Sequence, residues 1–337
     1  MIIIRPIANK DQNIFAEISF ESLLGMTNLP RNRQKLLDKI IHSEQCFLQN
    51  VEEPDQEEYY FVLEDLTSGR VGGTCGILAQ STQSFTHCYR IETLSPPTKH
   101  LSVPKEIKIL NVVKNLPDSS EVCALYLHPT FRHSGQGRLL SLSRFLFIAA
   151  HRERFKNKVI AEMRGYIDHR QTSPFWEAIG HHFCDLSFVE LMAHLEQIQP
   201  FILEILPQFP IYIGLLPKEA QEVIGKTHDS TKPAYQMLIQ ENFSFNQEID
   251  IFEGGPILST TTSDIRTIKK SELIQIDVTT DALIGENEYI ISNERLDFRA
   301  CYGKIQLISQ TQALINEEVA AALHVKKGER IRYVTIH

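Results

Sequence analysis

The chain has 337 residues, 42% of them apolar and 23% charged, which predicts a globular protein with a sizeable core and two domains in preference to one. Its 34 Lys and Arg residues against 42 Asp and Glu residues give a formal net charge of -8. This balance argues against a nucleic-acid binder, because phosphate binding needs clustered basic residues over a wide surface. A local basic patch that serves one small anionic cofactor is still allowed.

The six cysteines are scattered, without a C-x-x-C pair or the spacing of a zinc site. They are Cys46, Cys75, Cys88, Cys123, Cys184 and Cys301. Most lie in apolar runs, so we expect reduced core cysteines and no metal site. The apolar run at the start is too short for a signal peptide, and no later run approaches the ~18 apolar residues of a membrane span. These features predict a soluble cytoplasmic protein without a membrane partner.

The N-terminal part of the chain mixes helical and strand patterns. The predicted elements are, in chain order, a strand at 2–5 closed by Pro6, helices at about 13–24 and 31–46, a hairpin made by YYFVLED and VGGTCGILAQ, and a strand at about 85–93.

The central part has the most regular pattern. A strand at 121–127 (EVCALYL) precedes the loop HPTFRHSGQG, and a helix at 138–155 follows it, with an apolar stripe at spacings of three and four residues. The next strand is predicted at 158–164, and Ser173-Pro174 is a plausible cap with proline at the first position of a short helix. Strand, loop, helix and strand in this order predict a right-handed crossover between two parallel strands.

The remainder changes from helical to β-rich. Residues 188–242 have mostly helical patterns, 243–252 is strand-like, and Gly254-Gly255-Pro256 predicts a turn. Beyond about residue 262 the short runs IRTIKK, LIQIDV, EYIIS, FRACYG, KIQLIS and RIRYVTI predict strands, with one helix near 311–323. SPFWEAIGHHFCDLSF and KPAYQMLIQENFSFNQEIDIF resemble each other, which either an internal duplication of a helix–strand unit or coincidence explains. The fold class predicted is α+β with a mixed sheet.

The loop after strand 121–127 has the composition of an anion-binding site. A helix N-terminus offers unpaired N–H groups and the positive end of a dipole. Gly135 and Gly137 lack the Cβ atoms that would block a close approach, while Arg132 and Arg138 add positive charge. The dinucleotide pattern G-x-G-x-x-G fails because Leu140 occupies its third glycine position. The remaining pattern, [Q/R]-x-x-G-x-[G/A], predicts a pyrophosphate held by the loop, with Gln136 between the two glycines.

Longer motifs resemble a known family. In chain order they are IIIRP, MTNLP, FVLED, SSEVCALYLHP, SRFLFIAAHRERF, VIAEMRG, SPFWEAIG, FPIYIGLLPKEAQEVIG and DIFEGGP. Their order resembles the GNAT superfamily of N-acyltransferases, and the motifs themselves resemble the bacterial arginine N-succinyltransferases from the start to about residue 271, and more loosely beyond it. The resemblance implies a GNAT-type fold and transfer of succinyl from succinyl-CoA to the α-amino group of L-arginine, in arginine catabolism, with no permanently bound cofactor.

The resemblance also implies site residues. Leu125 is implied as a succinyl-CoA contact and His228 as the catalytic proton donor. In an acyl-CoA site of this type the pantetheine arm lies along the strand before the loop, so Leu125, Tyr126 and Leu127 would offer backbone groups to it. Three regions are expected: an acyl-CoA-binding N-acyltransferase core at 1–186, a helical segment with a second helix–strand unit that completes the active site at 187–262, and a small β-rich region at 263–337.

The acceptor needs charged partners of its own. A guanidinium group prefers a planar carboxylate, and an α-carboxylate prefers a cation or backbone N–H groups. Glu162 and Arg164 lie on the strand after the crossover helix, and Asp250 and Glu253 flank the turn at the double glycine. All four are candidates for the acceptor site, and ordinary ion pairs are the alternative interpretation.

Two positions depart from the family pattern. Ser22-Leu23-Leu24-Gly25 stands where the family has a glycine run, and His128 stands where an acidic residue is usual. The first departure leaves open an N-acyltransferase for ornithine or another amine. A non-catalytic acyl-CoA-binding subunit is the third hypothesis, and the chain is expected to form a homo-oligomer or to pair with a paralogous subunit.

Overall fold

The computed structural model describes residues 1–22, 28–81, 87–95, 106–114, 118–198, 201, 204, 206–283 and 288–336. The α-helices of this part of the chain are α1 Gln12–Glu21, α2 Arg33–Leu48, α3 Gln136–Ala150, α4 Pro174–Ala178, α5 Phe188–Ile198, α6 Lys218–Val223, α7 Lys232–Gln240, α8 Arg266–Lys270 and α9 Glu317–Leu323. The strands are β1 Ile2–Pro6, β2 Glu58–Asp65, β3 Arg70–Leu78, β4 His87–Leu94, β5 Ile107–Lys114, β6 Ser119–Leu127, β7 Lys158–Glu162, β8 Ile211–Tyr212, β9 Ser244–Ile249, β10 Pro256–Thr261, β11 Glu272–Thr279, β12 Tyr289–Asn293, β13 Ala300–Gly303, β14 Gln306–Leu307, β15 Gln312–Asn316 and β16 Arg330–Thr335.

All of these strands join one mixed sheet, so the predicted fold class is confirmed. Its order is β14-β15-β11-β16-β12-β13-β1-β2-β3-β6-β7-β10-β9-β4-β5-β8. Two neighbouring pairs are parallel, β6 with β7 and β11 with β15, and the other described pairs are antiparallel. The C-terminal strands are continuous with the rest, because β13 pairs with β1 through Ile3↔Cys301 and Ile4↔Ala300.

Helices cover both faces of the centre of this sheet because side chains alternate along each strand. On β2, Tyr59 and Phe61 pack into the cluster around α3, whereas Tyr60 and Val62 pack into a second cluster with α1 and α2. The α3 helix is buried along almost its whole length, in agreement with its position inside the molecule.

The parallel strands β6 and β7 pair only over their first three residues. The register runs Ser119↔Lys158, Ser120↔Val159 and Glu121↔Ile160, after which the strands no longer pair. On the other side of β6, the register with β3 shifts between Thr74 and Gly76. The shift is a β-bulge at Ala124, which has φ 51°. The backbone of β6 after Glu121 is therefore no longer paired with β7, and its pairing with β3 is interrupted by the bulge.

Most predicted elements are present with shifted ends, including the parallel strands around the glycine loop. Ser173 caps α4 as predicted, since its hydroxyl accepts a hydrogen bond from the Trp176 N–H over 3.2 Å. The central helix ends at Ala150 and not at 155, because His151 leaves helical geometry at φ -132°.

Two local predictions are wrong, and a third observation concerns the two similar segments. IRTIKK forms α8 and not a strand, and the carboxylate of Glu241 accepts from the Thr267 N–H in its first turn, over 2.6 Å. The region 311–323 begins as β15, which pairs with β11, and turns helical only at Glu317 because Asn316 accepts from the Val319 N–H. The segment after α4 forms a short 3-10 turn at Gly180–His182 and no strand, unlike the segment after α7, so the likeness of the two segments is limited to their helix starts.

Five of the six cysteines are buried, and Cys184 is half-buried; all six are free thiols, as expected of reduced core cysteines. Within the described ranges, no helix has both the length and the apolar character that crossing a bilayer requires.

Candidate active site

A cavity of about 160 Å³ opens where β6 and β7 stop pairing. Its wall comes from segments far apart in sequence: the α1–α2 connection, β6, α3, the end of β7, α5, α7 and the turn before β10. The lining residues are Asn28, Glu121, Val122, Cys123, Ala124, Leu125, Arg144, Ala161, Glu162, Met163, Arg164, Met192, Thr231, Ala234, Leu238, Asp250, Phe252 and Glu253. Four carboxyl groups and two guanidinium groups therefore share one small space.

Arg164 is a buried cation with spare hydrogen-bonding capacity. Its Nε lies 3.8 Å from Glu253 Oε2, and neither Nε nor Nη1 has a hydrogen-bond partner among the described residues. Glu253 is better satisfied, since its Oε2 accepts from the Gly165 N–H over 2.8 Å. Burial lowers the pKa of Arg164 and raises the pKa of Glu253 well above its usual value, and each charge partly offsets the shift of the other.

The turn that carries Glu253 depends on a close backbone approach. A Cβ atom added at Gly255 would lie 2.1 Å from the carbonyl oxygen of Met163, so only glycine fits there. Asp250 holds the same turn, because its Oδ1 accepts from the N–H groups of Phe252 and Glu253 over 2.8 and 2.5 Å. One Asp250 oxygen is therefore committed to the turn, and burial raises the pKa of this carboxyl.

Two further carboxyls face each other across the diverging strands. Glu162 at the end of β7 is half-buried, and burial followed by the charges of Glu121 and Asp250 raises its pKa well above the usual value. Glu121 on β6 is only 1% exposed; its Oε1 accepts from Asn28 over 3.1 Å, and its Oε2 has no partner among the described residues. Burial raises the pKa of Glu121 to about 7. A carboxyl that titrates there can exchange protons at neutral pH.

His228 lies beside Arg164. Its backbone N–H donates to the Arg164 carbonyl over 2.8 Å. The ring Nδ1 accepts from the Ser230 N–H over 3.2 Å and lies 2.7 Å from the Ser230 hydroxyl, so Nε2 is the nitrogen free to exchange a proton with a ligand. Burial first and the Arg164 charge second lower the pKa of His228.

The glycine loop lies at the other end of β6, at the start of α3. Ser134 and Gly135 have positive φ values of 50° and 73°, and Gly135 is the residue that caps α3. The N–H groups of Ser134, Gly135 and Gly137 donate to no described backbone or side-chain acceptor, which is the arrangement of an anion site. The Tyr302 hydroxyl, on β13, donates to the Gly135 carbonyl over 2.7 Å and fixes the loop from behind.

The charged and polar residues of the loop differ in exposure. Arg132 is exposed and its Nε donates to the Leu127 carbonyl over 2.9 Å, which leaves its terminal nitrogens toward solvent. Arg138 is half-buried, while the Gln136 side chain is buried with Oε1 unpartnered among the described residues. The Gln136 side chain therefore lies in the protein interior.

The structure brings many of the sequence-predicted site residues together. Leu125, Glu162, Arg164, Asp250 and Glu253 all line the cavity, and His228 adjoins it through Arg164. The residues that continue β6 toward the glycine loop lie along the way out of the cavity and are half-buried; they are Tyr126 and Leu127.

Sequence reasoning missed two charged residues of the cavity, Glu121 and Arg144. Both sit inside apolar patterns, where the only signal was a charge in a strand or helix that otherwise reads as core. His128 lies outside the cavity, with Nε2 3.9 Å from Glu21 Oε2. The Leu23–Gly25 departure falls outside the described residues. In the part of the chain that the structure describes, no three His, Cys, Asp or Glu side chains are grouped for a metal ion.

Comparisons with known proteins identify relatives over the whole chain. A family described as arginine N-succinyltransferase beta subunit matches residues 2–267, and one described as the C-terminal domain of that subunit matches residues 274–335. The chain is 33% identical to the arginine N-succinyltransferase subunit alpha of Pseudomonas aeruginosa, over 100% of both chains. It is 35% identical to the arginine N-succinyltransferase of Escherichia coli strain 55989, over 100% of this chain and 98% of the relative. The solved structure of arginine/ornithine succinyltransferase subunit AI from Pseudomonas aeruginosa superposes with a TM-score of 0.89 at 32% identity, covering 100% and 99% of the two chains.

Proposed function

The chain belongs to the arginine N-succinyltransferase family, and on that premise we propose that it transfers succinyl from succinyl-CoA to the α-amino group of L-arginine, as a step of arginine catabolism. The amine attacks the thioester directly in a ternary complex, so no covalent acyl-enzyme forms. The observation that carries the proposal is the cavity at the β6–β7 divergence, which places acidic and basic side chains beside a strand whose backbone is open to a donor.

The donor is held along α3 and β6. Its pyrophosphate binds the N–H groups of Ser134, Gly135 and Gly137, with Arg132 and Arg138 supplying positive charge. Its pantetheine arm follows Leu127, Tyr126 and Leu125 like an added strand. The bulge at Ala124 frees backbone next to the thioester, where an N–H group of Leu125 can stabilise the oxyanion.

Substitution of the two loop glycines is expected to have different effects on CoA binding. Gly135 needs its positive φ, and an added Cβ would lie 2.9 Å from the Tyr302 hydroxyl, whereas a Cβ at Gly137 would meet only Leu127 Cδ2 at 3.7 Å. We expect Gly135→Ala to weaken CoA binding by about tenfold, since a left-handed non-glycine residue costs roughly 1–2 kcal/mol. Gly137→Ala is the matched control and should bind CoA as the parent does in titration calorimetry. Equal affinities for both variants would contradict the role of the Gly135 conformation.

The acceptor occupies the acidic side of the cavity. Arg164 offers unpartnered Nε and Nη1 donors, which fit the α-carboxylate of an amino acid. Glu162 faces the cavity without a described hydrogen-bond partner, and it is the first choice for the guanidinium group. Asp250 contributes its second oxygen, and Glu253 acts mainly by holding Arg164 in place. This placement puts the α-amine close to His228 because Arg164 lies beside that residue.

Three proton transfers accompany the reaction. The α-ammonium group gives a proton to Glu121, whose Oε2 is unpartnered among the described residues, and the free amine then forms the C–N bond with the thioester carbonyl. When the tetrahedral intermediate collapses, the C–S bond breaks and the departing thiolate takes a proton from Nε2 of protonated His228. The nitrogen of the intermediate still carries one proton more than the amide, and this proton passes to His228 and restores its charge. Glu121 returns its proton to solvent, so the cycle releases thiol, amide and one proton.

A thiol-release assay tests this function. The purified chain is mixed with succinyl-CoA or acetyl-CoA and with L-arginine or L-ornithine, and free thiol is followed with time. We expect the fastest release with succinyl-CoA and arginine together. Arginine-independent release would be hydrolysis, and the absence of release with any pair would contradict the proposal for the isolated chain.

A second acceptor has specific support. The solved relative with a TM-score of 0.89 is described as an arginine/ornithine succinyltransferase, and the sequence departs from the family at Ser22–Gly25. Faster thiol release with ornithine than with arginine would favour an N-acyltransferase for ornithine or another amine. Saturable succinyl-CoA binding without turnover on either amine would favour a non-catalytic acyl-CoA-binding subunit.

We propose that the chain assembles with other subunits in the cytoplasm. The Pseudomonas aeruginosa relatives are named as subunits, which supports assembly with a paralogous chain or with further copies of this one. The six free thiols support a reducing compartment, and we place the protein in the cytoplasm.

A further inference from the structure

Arg144 is a buried cation without a counter-charge among the described residues. Its side chain lies on α3, lines the cavity and is 2% exposed. Nε and Nη2 donate to the carbonyl and hydroxyl of Ser141 over 3.1 and 2.9 Å, and Nη1 donates weakly to the Cys123 carbonyl over 3.4 Å. Every one of these acceptors is uncharged, and no carboxylate of the described chain forms an ion pair with Arg144.

Other buried arginines, in contrast, have a carboxylate within 4.0 Å. Arg5 pairs with Asp11 at 2.7 Å, Arg164 lies 3.8 Å from Glu253, and Arg154 lies 4.0 Å from Glu153. The groups that interact electrostatically with Arg144 are the thiols of Cys75 and Cys123, which are neutral at pH 7 because burial raises their pKa values. A buried charge without a counter-charge is strongly unfavourable, so Arg144 fits a site whose anion arrives with a ligand.

The position of Arg144 along α3 indicates which part of a donor would reach it. Helix α3 runs antiparallel to β6: Gly137 lies beside Leu127, and Arg144 lies beside Cys123. Seven helical residues from Gly137 to Arg144 span roughly 10 Å, and four strand residues from Leu127 to Cys123 span roughly 13 Å. An acyl-CoA whose pyrophosphate binds the glycine loop and whose arm follows β6 therefore brings its acyl end to Arg144.

On the basis of the proposed function, we propose that Arg144 determines donor specificity by binding the free carboxylate of a short dicarboxylic acyl group. In succinyl-CoA this carboxylate is separated from the thioester carbonyl by two methylene groups, which places it next to the Leu125–Cys123 segment. Acetyl-CoA has no such group and leaves the guanidinium without its counter-charge. Because the donor carboxylate is the same before and after transfer, Arg144 discriminates between donors and takes no part in the proton transfers.

The test compares donors in Arg144→Gln, whose amide can still donate to Ser141. Thiol release with L-arginine is measured with succinyl-CoA and with acetyl-CoA, and the affinities for succinyl-CoA and CoA are measured by calorimetry. We expect the preference of kcat/KM for succinyl-CoA over acetyl-CoA to fall by about 10- to 100-fold, the range of a hydrogen bond to a charged group. The gain in affinity of succinyl-CoA over CoA should disappear.

Arg154→Gln is the matched control. That arginine is 3% exposed, donates to Tyr59 and to the carbonyls of Cys46 and Gln49, and lies outside the cavity, so its loss leaves the donor preference unchanged. If Arg144→Gln does not fold, Arg144→Lys keeps the charge but loses the planar donor pair, and its donor preference should fall by a smaller factor.

The outcomes separate the two proposals. An equal loss of rate with both donors in either Arg144 variant would overturn the assignment, as would a rise confined to the KM for arginine, which would assign Arg144 to the acceptor. If the parent chain turned over neither donor, the proposed function would fail, while the calorimetric comparison of succinyl-CoA with CoA would still decide the role of Arg144.

Discussion

The His228→Gln variant is expected to lose between about 100- and 10,000-fold in kcat, the usual contribution of a positioned general acid, while it binds CoA as tightly as the parent chain. The departing thiolate needs a proton, and Nε2 of His228 is the ring nitrogen that Ser230 leaves free. The proposed CoA contacts lie on the glycine loop and β6, away from this ring. Thiol release gives kcat, and calorimetry with CoA gives the affinity.

His128→Gln is the matched control for that change. His128 has the same local geometry, with Nδ1 accepting from the Thr130 N–H over 3.2 Å and lying 2.7 Å from the Thr130 hydroxyl. It lies outside the cavity, so its replacement leaves kcat unchanged. Equal kcat values for the His228 and His128 variants would remove His228 from the proton transfer.

The Glu121→Gln variant is expected to lose about 100- to 10,000-fold in kcat/KM, because an amide cannot accept the proton of the α-ammonium group. The same change is expected to leave the protein at least as stable at pH 8. The pKa of Glu121 is raised from 4.5 to about 7 in the folded chain, so the folded state binds more protons than the unfolded state between these pH values. The contribution of the Glu121 carboxyl to the free energy of unfolding therefore falls as the pH rises from 4.5 to 7, whereas the amide of the variant does not titrate.

Several charged and titratable groups surround Glu121. Lys39 on α2 lowers the pKa of Glu121 and Glu58 on β2 raises it, while the charge of Glu121 in turn raises the pKa of Glu162 on β7. Glu241→Gln is the matched control, because Glu241 is also 1% exposed with a pKa raised by burial but lies outside the cavity. A Glu121 variant with parental kcat/KM would exclude this carboxyl as the base.

The dependence of kcat/KM on pH in the His228 and Glu121 variants distinguishes the roles of these two residues. The proposed active form has Glu121 ionised and His228 protonated, which makes the parent profile of kcat/KM bell-shaped. Without His228, the residual rate should only rise with pH, around the Glu121 pKa of about 7. Without Glu121, the residual rate should only fall with pH, with its midpoint below 6.5 because the pKa of His228 is lowered. A profile that keeps both limbs in either variant would contradict the assignment.

Local patterns predicted the parts of this site that depend on neighbours in sequence. Gly135 before an amphipathic helix predicted the loop at the start of α3, and Glu162 and Arg164 were placed on the strand after the crossover helix. Both expectations need only helix and strand periodicity. The motifs that resemble the family added His228, which composition alone does not distinguish from the other twelve of the 13 histidines.

The features of the site that the sequence did not predict depend on contacts between segments far apart in the chain. Glu121 and Arg144 face a cavity only because β6 and β7 stop pairing after Ile160, and a strand or helix pattern carries no information about that divergence. The sequence predicted a small β-rich C-terminal region but not that its strand β13 pairs directly with β1. Such pairing depends on contacts between residues nearly a whole chain apart, for which periodicity gives no signal.

The hydrogen bond from Tyr302 to Gly135 has a consequence for biosynthesis. The loop is translated 167 residues before the tyrosine that supports it. A nascent chain has its glycine turn, its helix start and both loop arginines before Tyr302 has been added to it. The hydroxyl that fixes the loop from outside the helix is therefore supplied only when β13 has been synthesised, and a chain interrupted before residue 302 lacks this hydrogen bond.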